Sequence, residues 1–318
     1  MKNFFVTGGT GLVGGNLIEE ILHDHPDAKI VTLVRSLDPM SYFVRNGYDT
    51  RVVLYYGDVR DANTIRDIVY NEEIDTIFHL AAQPIVNVAL ANPRDTWETN
   101  INGTINVMEA ARGNAKIEAI VVASSDKAYG KANFLPYTED HPLQGLHPYD
   151  ASKSCTDLIA RTYAVCYGVP VVVSRFGNIY GPGDLNFNRL IPGAMKALAT
   201  GETLPIRSNG QMTRDFVYVK DVARGYLLLA ANAKDIAGEA FNVTSGVTMS
   251  VVEMLTEIGR ILSKPVPHEI LNIAQHEIPL QTLSDEKIRT RLGWKPTRTL
   301  EQAINETWTW YRDLLKKS

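Results

Sequence analysis

The sequence of 318 residues is poor in several features that would assign a protein to a special class. It contains no apolar run near the roughly 20 residues that a membrane-spanning helix requires. Its formal net charge is only -4, without a long block of like charge, which argues against nucleic-acid binding because that requires a basic surface. We therefore expect a globular protein that has neither a membrane nor a nucleic acid as partner.

Cysteine is also scarce, since Cys155 and Cys166 are the only two. Both fall in one predicted helix, where their spacing separates them by about 16 Å, which is beyond disulfide reach. Unpaired thiols suit a reducing compartment, so we predict a cytoplasmic location. The seven histidines are scattered without a cluster of ligands and indicate no metal site.

The first half of the sequence alternates short apolar runs with amphipathic segments. Strand and helix in alternation predict an α/β fold with a Rossmann-type, doubly wound parallel sheet. The predicted strands are Phe4–Thr7, Ile30–Val34, Val52–Tyr56, Thr76–Leu80, Ala119–Ala123 and Val169–Ser174. The predicted helices are Leu12–His23, Ala62–Asn71, Trp97–Arg112 and Tyr149–Tyr167.

The second half changes character, because prolines, glycines and a polar stretch at Arg207–Thr213 interrupt the alternation. Helices then return with clear start signals. Ser250 with Glu253, and Thr299 with Gln302, both fit the capping box, in which a hydroxyl precedes Glu or Gln by three residues. These features predict a smaller C-terminal α/β lobe that covers one end of the sheet.

A glycine-rich turn, VTGGTGLVGG, joins the first predicted strand to the first predicted helix. Gly8, Gly11 and Gly14 let the backbone turn tightly and approach a pyrophosphate at the positive end of a helix. The position between a strand and a helix favours a dinucleotide-binding site over a merely glycine-rich turn.

The end of the second predicted strand bears on which dinucleotide binds. An acidic residue there would accept hydrogen bonds from the ribose hydroxyls and repel a 2′-phosphate. Arg35 and Ser36 follow that strand instead, and an arginine beside a hydroxyl suits a phosphate. We therefore favour NADP over NAD, while a solvated arginine on a loop is the other interpretation.

The stretch PYDASK places Tyr149 and Lys153 four residues apart at the start of a helix. The two side chains share one helix face, and a nearby ammonium lowers the pKa of a phenol. The pair alone could be an ordinary surface feature. Together with the glycine turn and a serine at a strand end, it predicts a tyrosine that acts as a base.

The stretch SSDKAYG follows the apolar run of 119–123 and places a hydroxyl, an acid and an amine where the chain leaves the sheet. These are Ser125, Asp126 and Lys127. Neighbours on an ideal strand point to opposite faces, which favours a simple surface ion pair. Irregular backbone beyond the strand can turn both side chains inward, so a catalytic role stays open.

These motifs resemble, in order and spacing, those of the extended short-chain dehydrogenase/reductase family along essentially the whole chain. The matching stretches are TGGTGLVG, GDVRD, FHLAAQ, TNINGT, SSDKAYG, PYDASK and RFGNIYGPG. Within that family, FHLAAQP, SDKAY, PYDASKS and NRLIP are most similar to nucleotide-sugar 4,6-dehydratases, the CDP-glucose type in particular.

The resemblance implies two domains and a homodimer. An NAD(P)-binding Rossmann domain is expected at 1–178 plus about 215–245. A nucleotide-sugar-binding domain is expected at about 179–214 plus 246–318. The resemblance further implies dimerisation through the helices near residues 97–112 and 149–167.

The resemblance also assigns roles by motif, and it implies a cofactor that is tightly bound and regenerated in each turnover. With the residues reasoned above, the expected cofactor-binding set is Gly8, Gly11, Leu12, Val13, Gly14, Arg35, Ser36, Asp58, Val59, Leu80, Ala81, Ala82, Asn100, Tyr149 and Lys153. The expected substrate-binding set is Gln83, Ser125, Asn178, Arg189, Leu190 and Arg214.

In the expected mechanism, Tyr149 takes the proton of the sugar 4-hydroxyl as hydride leaves C4. Ser125 hydrogen-bonds the same oxygen, and Lys153 holds the nicotinamide ribose and tunes Tyr149. Loss of water from C5 and C6 needs one further base and one acid. Lys127, kept neutral by burial and nearby positive charge, would be the base, and Asp126 the acid.

Two other functions stay open at this point. A 4-epimerase of the same family needs little beyond Ser125, Tyr149 and Lys153. A non-catalytic NADP-binding regulator is disfavoured because all three of these residues are present. The nucleotide base and the sugar also stay open.

Overall fold

The apolar runs of the first half form the centre of a parallel sheet in the computed structural model, which describes residues 2–132, 134–273 and 279–316. The strands of the described residues are β1 (Asn3–Thr7), β2 (Lys29–Val34), β3 (Val53–Tyr56), β4 (Thr76–His79), β5 (Ala119–Ala123), β6 (Val171–Phe176), β7 (Asn178–Tyr180), β8 (Leu204–Ile206), β9 (Thr213–Tyr218), β10 (Ala240–Val243), β11 (Val247–Ser250), β12 (His268–Ile270) and β13 (Leu280–Gln281). The main sheet has the order β10-β6-β5-β4-β1-β2-β3, and each neighbouring pair is parallel.

The α-helices of the described residues are α1 (Leu12–Asp24), α2 (Tyr42–Arg45), α3 (Ala62–Asn71), α4 (Val86–Ala91), α5 (Pro93–Trp97), α6 (Gly103–Ala111), α7 (Pro148–Tyr167), α8 (Leu190–Thr200), α9 (Val219–Ala231), α10 (Val251–Ile261), α11 (Glu286–Leu292) and α12 (Leu300–Leu315). Strand and helix alternate through the first half, which confirms the predicted doubly wound α/β class. Within the described residues, no helix has the length and apolar character needed to cross a bilayer.

The main sheet is buried on both faces, as its continuous apolar strands require. Successive residues of a strand point to opposite faces. Phe4 and Val6 of β1 therefore pack in the layer of α1 and α9, while Phe5 packs in the layer of α3 and α6. This two-sided core fixes the carboxyl ends of the strands along one edge, where the candidate site lies.

The predicted single helix Trp97–Arg112 is wrong in detail, because three helical segments cover this stretch. The α-helix α5 ends at Trp97, a π-helical turn spans Glu98–Asn102, and α6 begins at Gly103. A Cβ on Gly103 would lie 2.9 Å from Val59 Cγ2, so the chain passes very close to the loop after β3. The wider turn carries the buried Asn100 toward the site.

The second half adds two small sheets. One contains β11, β9 and β13 in that order, with β7 pairing with β9, and the other pairs β8 with β12. Both capping boxes are present: the Ser250 and Thr299 side chains accept from the backbone of Glu253 and Gln302, whose side chains bond back to the cap. The strand β10, which the sequence analysis missed, returns to the edge of the main sheet beside β6. The two-domain boundaries stay a prediction.

In the turn from β1 to α1, the backbone at Gly14 lies so close to the backbone at Gly8 and Gly9 that no side chain fits between them. Gly8 has a φ of +72°, a left-handed conformation that favours glycine. A Cβ on Gly14 would lie 2.2 Å from the Gly8 carbonyl oxygen and 2.6 Å from Gly9 Cα. The glycine spacing is thus a packing requirement of the turn itself.

We predict opposite effects for two neighbouring glycine substitutions in α1. Gly14→Ala should lower the free energy of unfolding by about 1–3 kcal/mol, because the new methyl meets backbone atoms that cannot move aside without opening the turn. Gly15→Ala is the matched control, since the nearest atoms to its Cβ lie 3.5 Å away. That control should gain up to about 1 kcal/mol from helix propensity. Urea unfolding of both variants measures the difference, and equal stabilities would contradict the crowding argument.

Candidate active site

A cleft opens at the carboxyl end of the main sheet, between β1 and β4, where the strand order reverses. Eight of the expected cofactor residues line it: Gly8, Gly11, Arg35, Asp58, Val59, Leu80, Ala81 and Ala82. The lining also contains residues that were not predicted: Thr10, Leu33, Val34, Gly57 and Thr99.

The amino-terminal end of α1 faces this cleft. The helix begins at Leu12 and Val13 after the N-cap Gly11, which has no side chain to bond the first N–H groups. The first turn also carries no acidic residue. Free N–H groups and the helix dipole make such an end suited to phosphate, so the residues present fit a dinucleotide.

Arg35 and Ser36 are exposed, directly after β2. Asp58 lies across the cleft and binds Arg60, with Nε–Oδ1 and Nη2–Oδ2 distances of 2.9 and 2.7 Å. Hydrogen bonds from Arg60, with a smaller contribution from the charge of Arg35, lower the pKa of Asp58. The charge of Arg35 therefore acts across the cleft on Asp58, whose carboxylate is already paired with Arg60.

Asn100 joins three segments behind the cleft. Its amide oxygen accepts from Gln83 N at 2.7 Å, and its Nδ2 donates to the Ser152 hydroxyl of α7 at 2.8 Å. The Gln83 side chain bonds the backbone of Ile85 in both directions, forming a local turn. In this arrangement Gln83 supports the loop after β4.

The turn after β5 brings the predicted hydroxyl, acid and amine together. A 3₁₀ helix spans Asp126–Tyr129, and the Ser125 side chain caps it by accepting from Lys127 N at 3.2 Å. The Ser125 hydroxyl donates to Asp126 Oδ1 at 2.9 Å. Ser125 and Asp126 are both buried, and the Lys127 side chain is only 23% exposed, so the three are not a solvated surface group.

Tyr149 occupies the first turn of α7 and lies close to Ser125, Asp126 and Arg189. Burial and then the negative charge of Asp126 raise its pKa to about 12, against lowering contributions from a Ser125 hydrogen bond and from Arg189. Lys153, which was expected to lower this pKa, is not among the groups that shift it. The Lys153 ammonium instead donates to the carbonyl of Ala123 at 2.7 Å.

Lys153 itself is buried, one helical turn after Tyr149. Burial lowers its pKa to about 8, because the ammonium loses hydration that one carbonyl only partly replaces.

Lys127 points toward carboxylates. Its Nζ lies 3.8 Å from Asp126 Oδ2 and donates a short hydrogen bond to Gln281 Oε1. Its charge also lowers the pKa of Asp150, which burial raises by a larger amount. The charged groups that interact with Lys127 are thus the carboxylates of Asp126 and Asp150. They are not the positive charge that was expected to keep the amine neutral.

The expected substrate residues lie on different elements around this turn. Arg189 caps α8, ahead of Leu190, and pairs with Asp184 at 3.1 Å, while its charge acts on Tyr149. Arg214 lies on β9, and its Nη1 donates to the Thr213 carbonyl at 2.8 Å. Asn178 begins β7 and donates to the Asp215 carbonyl at 3.4 Å.

A fully buried ion pair holds α7 against the sheet. Arg175 of β6 donates to both carboxylate oxygens of Asp157 in α7, at 2.7 and 2.9 Å, and neither side chain is exposed. Arg175 also donates to the Tyr129 hydroxyl at 2.7 Å, which in turn donates to Asn242 Oδ1 of β10 at 2.7 Å. The turn at 125–129 and the helix of Tyr149 and Lys153 are tied through one network.

Sequence reasoning missed two residues beside Lys127. Asp150 stands within the PYDASK motif, and its position after Tyr149 was the available signal. Gln281 belongs to no motif and reaches Lys127 only through the pairing of β13 with β9, so the sequence carried no signal for it.

The chain matches a family of known proteins over most of its length. The family model described as GDP-mannose 4,6 dehydratase matches residues 5–307. The dTDP-glucose 4,6-dehydratase of Haemophilus influenzae is 28% identical to the chain, and the alignment covers 98% of each protein.

Solved structures of two related enzymes have the same fold. DesIV, a dTDP-glucose 4,6-dehydratase from Streptomyces venezuelae solved with NAD bound, gives a TM-score of 0.86 at 28% identity over 98% of this chain and 97% of that one. The UDP-N-acetylglucosamine 4-epimerase of Methanobrevibacter ruminantium gives 0.88 at 25% identity, over 100% of this chain and 99% of that one.

The low pKa of Lys153 predicts a pH dependence of stability. Between about 8, the folded value, and the ordinary 10.5, the unfolded chain holds a proton that the folded protein has lost. The free energy of unfolding should therefore rise with pH across this window by about 2–3 kcal/mol, and lose that contribution as the pH falls below 8.

Lys153→Met should lack this rise, because it has no amine to titrate. The exposed Lys131 supplies the matched control, and Lys131→Met should keep the rise. Urea unfolding from pH 7 to 10.5 measures all three proteins, and tyrosine ionisations cancel in the comparison. Parallel curves for wild type and Lys153→Met would contradict the assignment.

Proposed function

Because the chain belongs to the GDP-mannose 4,6-dehydratase family and is an NAD(P)-dependent enzyme of the nucleotide-sugar dehydratase and epimerase type, we propose that it is a nucleotide-sugar 4,6-dehydratase. The proposed reaction converts a nucleotide hexose to a 4-keto-6-deoxy sugar with loss of water. The observation that carries the proposal is the buried turn that places Asp126 and Lys127 beside Ser125 and Tyr149.

The first step is oxidation at C4. When bound, a nicotinamide would supply the acceptor for the hydride of C4 and the donor of that hydride to C6. Tyr149 takes the proton of the 4-hydroxyl, and Ser125 donates a hydrogen bond to the same oxygen once it turns from Asp126. The raised pKa of Tyr149 means that a positive charge must approach the phenol before it becomes a base. Lys153 can supply that charge if its ammonium leaves the Ala123 carbonyl and moves toward the ribose.

The second step removes water across C5 and C6. The 4-ketone acidifies the C5 proton, so a base must take that proton while an acid protonates the departing 6-hydroxyl. Asp126 and Lys127 stand 3.8 Å apart as a carboxylate and an ammonium. Transfer of one proton from Lys127 to Asp126 creates both required forms at once, a neutral amine and a carboxylic acid.

Exclusion of water by the sugar favours that transfer, because desolvation penalises the charged pair more than the neutral one. Lys127 therefore needs no positive neighbour to lose its proton. The same transfer explains why the acid and the base occupy adjacent positions of one short turn.

A 4-epimerase is the second candidate, since Ser125, Tyr149 and Lys153 would suffice for it and an epimerase shares the fold. It leaves Asp126 and Lys127 without a chemical role. Both are held inside the site, which favours the dehydratase.

The substrate's diphosphate is proposed to bind between Arg189, the N-cap residue of α8, and Arg214 of β9. Only similarity to known proteins bears on which nucleotide base the substrate carries. The sequence motifs favour CDP-glucose, while the relatives described above act on dTDP-glucose or UDP-N-acetylglucosamine. Mass detection of water loss across a panel of nucleotide hexoses identifies it.

A homodimer through α5 to α7 is also proposed. Apolar side chains on the outer face of α7 are exposed in the single chain, with Leu158 at 54%, Val165 at 81% and Tyr167 at 57%. Trp97, at the end of α5, is 45% exposed. Burial of these side chains in a helix–helix interface would remove that apolar surface from water.

Hydride transfer gives the first test of the proposed function. A substrate with deuterium at C4 should give a 4-keto-6-deoxy product that carries the deuterium at C6, because one hydride leaves and returns. An epimerase would return it to C4 on the opposite face without loss of water. Mass spectrometry and NMR of the product distinguish the two.

Variants of the turn locate the elimination chemistry. Lys127→Met should retain hydride removal from C4 but slow C5 exchange in heavy water by roughly 10²–10⁴-fold, the range for a positioned base. Asp126→Asn should slow both loss of the 6-hydroxyl and C5 exchange, because the amide can neither protonate the leaving group nor take the proton of Lys127. Lys131→Met, an exposed lysine nearby, is the control. Normal turnover by both turn variants would leave the epimerase as the better function.

Arg35 provides a test of the proposed preference for NADP, against the NAD seen in the Streptomyces relative. Loss of one charge-assisted phosphate contact costs on the order of 1.5–3 kcal/mol. Arg35→Ala should therefore weaken NADP by roughly 10- to 100-fold and change NAD little. Arg45→Ala, an exposed arginine outside the cleft lining, is the control. Equal effects on both dinucleotides, measured by calorimetry, would refute the preference.

A further inference from the structure

Gln281 is held rigidly beside the proposed catalytic turn. It lies on β13 opposite Arg214 of β9, and only 2% of the residue is exposed. The chain is fixed on both sides of it, because Thr213 N donates to the Pro279 carbonyl and Tyr137 N to the Thr282 carbonyl, at 2.9 and 2.8 Å. The side chain therefore projects from an anchored backbone.

The two ends of the Gln281 amide differ in their partners. Its Oε1 accepts from Lys127 Nζ, whereas its buried Nε2 has no close partner in the described residues and acts on the Tyr137 hydroxyl, whose pKa burial raises and the Gln281 amide lowers. A leucine of similar size would bury no polar atom, so the amide at this position calls for a chemical reason.

The reason lies in the charges that face Lys127. Asp126 on the turn and Asp150 on α7 interact with Lys127 itself. The titratable groups of the surrounding elements act one step further away: His147 on Asp150, Asp126 on Tyr149, Tyr137 and Asp215, and Arg214 on Tyr137. Asp126 and Asp150 are carboxylates that already favour the ammonium. A third carboxylate as anchor would bind Lys127 more strongly but would oppose loss of its proton.

We propose that Gln281 is a positioning residue for Lys127, holding the amine beside Asp126 through a neutral acceptor that adds no charge. This inference rests on the proposed role of Lys127 as the C5 base. The amide fixes the direction of Nζ while leaving the amine free to give its proton to Asp126.

Two substitutions separate the two properties of the amide. Gln281→Leu removes the acceptor, and the rate of C5 exchange and kcat should fall about tenfold with little change in KM, while hydride removal from C4 persists. Gln281→Glu keeps the acceptor and adds a charge. In Gln281→Glu the fall of kcat on the acid side should begin about one pH unit higher than in wild type, because the added charge favours the Lys127 ammonium. Activity should recover at higher pH. Gln211→Leu, an exposed glutamine ahead of β9, is the control.

A titration of the amine gives a readout independent of turnover. NMR of protein labelled with ¹³C-lysine, with the Lys127 signal assigned by its loss in Lys127→Met, should show Lys127 titrating at higher pH in Gln281→Glu than in wild type. Three outcomes would contradict the inference. If both Gln281 variants had the pH profile and the Lys127 titration of the wild type while Lys127→Met blocked C5 exchange, Gln281 would not position Lys127, but the proposed dehydratase function would stand. Equal losses at C4 and C5 in Gln281→Leu would make Gln281 a structural residue and also overturn it. Normal turnover in Lys127→Met would instead remove the proposed function, and the inference with it.

Discussion

The placement of the candidate catalytic side chains depends on the buried ion pair of Arg175 and Asp157. Two charges without access to water are tolerated because the guanidinium and the carboxylate bond each other twice, and removal of either partner from such a pair typically costs about 3–5 kcal/mol. Because Arg175 also binds Tyr129, the same pair aligns α7 with the turn that begins at Ser125. The backbone positions of the site are thus tied to the core through this pair.

Within that frame, Asp126 is the charge that most affects its surroundings. It contributes to raised pKa values at Tyr149, Tyr137, Asp150 and Asp215, although burial is the larger cause at each. A site with this excess of negative potential holds its protons tightly before substrate binds. The chemistry proposed here therefore requires protons to be redistributed inside the site, and the short Asp126–Lys127 pair gives a direct route.

Local signals predicted much of this protein, and long-range contacts account for what was missed. The glycine turn and the capping boxes at Ser250 and Thr299 depend on neighbours within a few residues, and the structure contains each of them. The π-helical turn at 98–102 leads into Gly103, which packs against the distant Val59 in a contact that no periodicity encodes. The pKa of Tyr149 likewise depends on burial and on Asp126, so spacing to Lys153 alone predicted the wrong direction. Gln281 was out of reach because a two-residue strand has too little pattern to be recognised.

The return of β10 to the main sheet sets an order for folding during synthesis. Strand β6 ends at Phe176, but its outer neighbour is not made until residue 243, after α8, β8, β9 and α9 have been translated. Until then β6 is an unprotected edge with unpaired backbone groups, and Tyr129 lacks its acceptor on Asn242. The ribosome therefore releases residues 179–214, the first part of the predicted second lobe, before the main sheet is complete, and a chaperone that shields the edge of β6 would act on this protein at that stage.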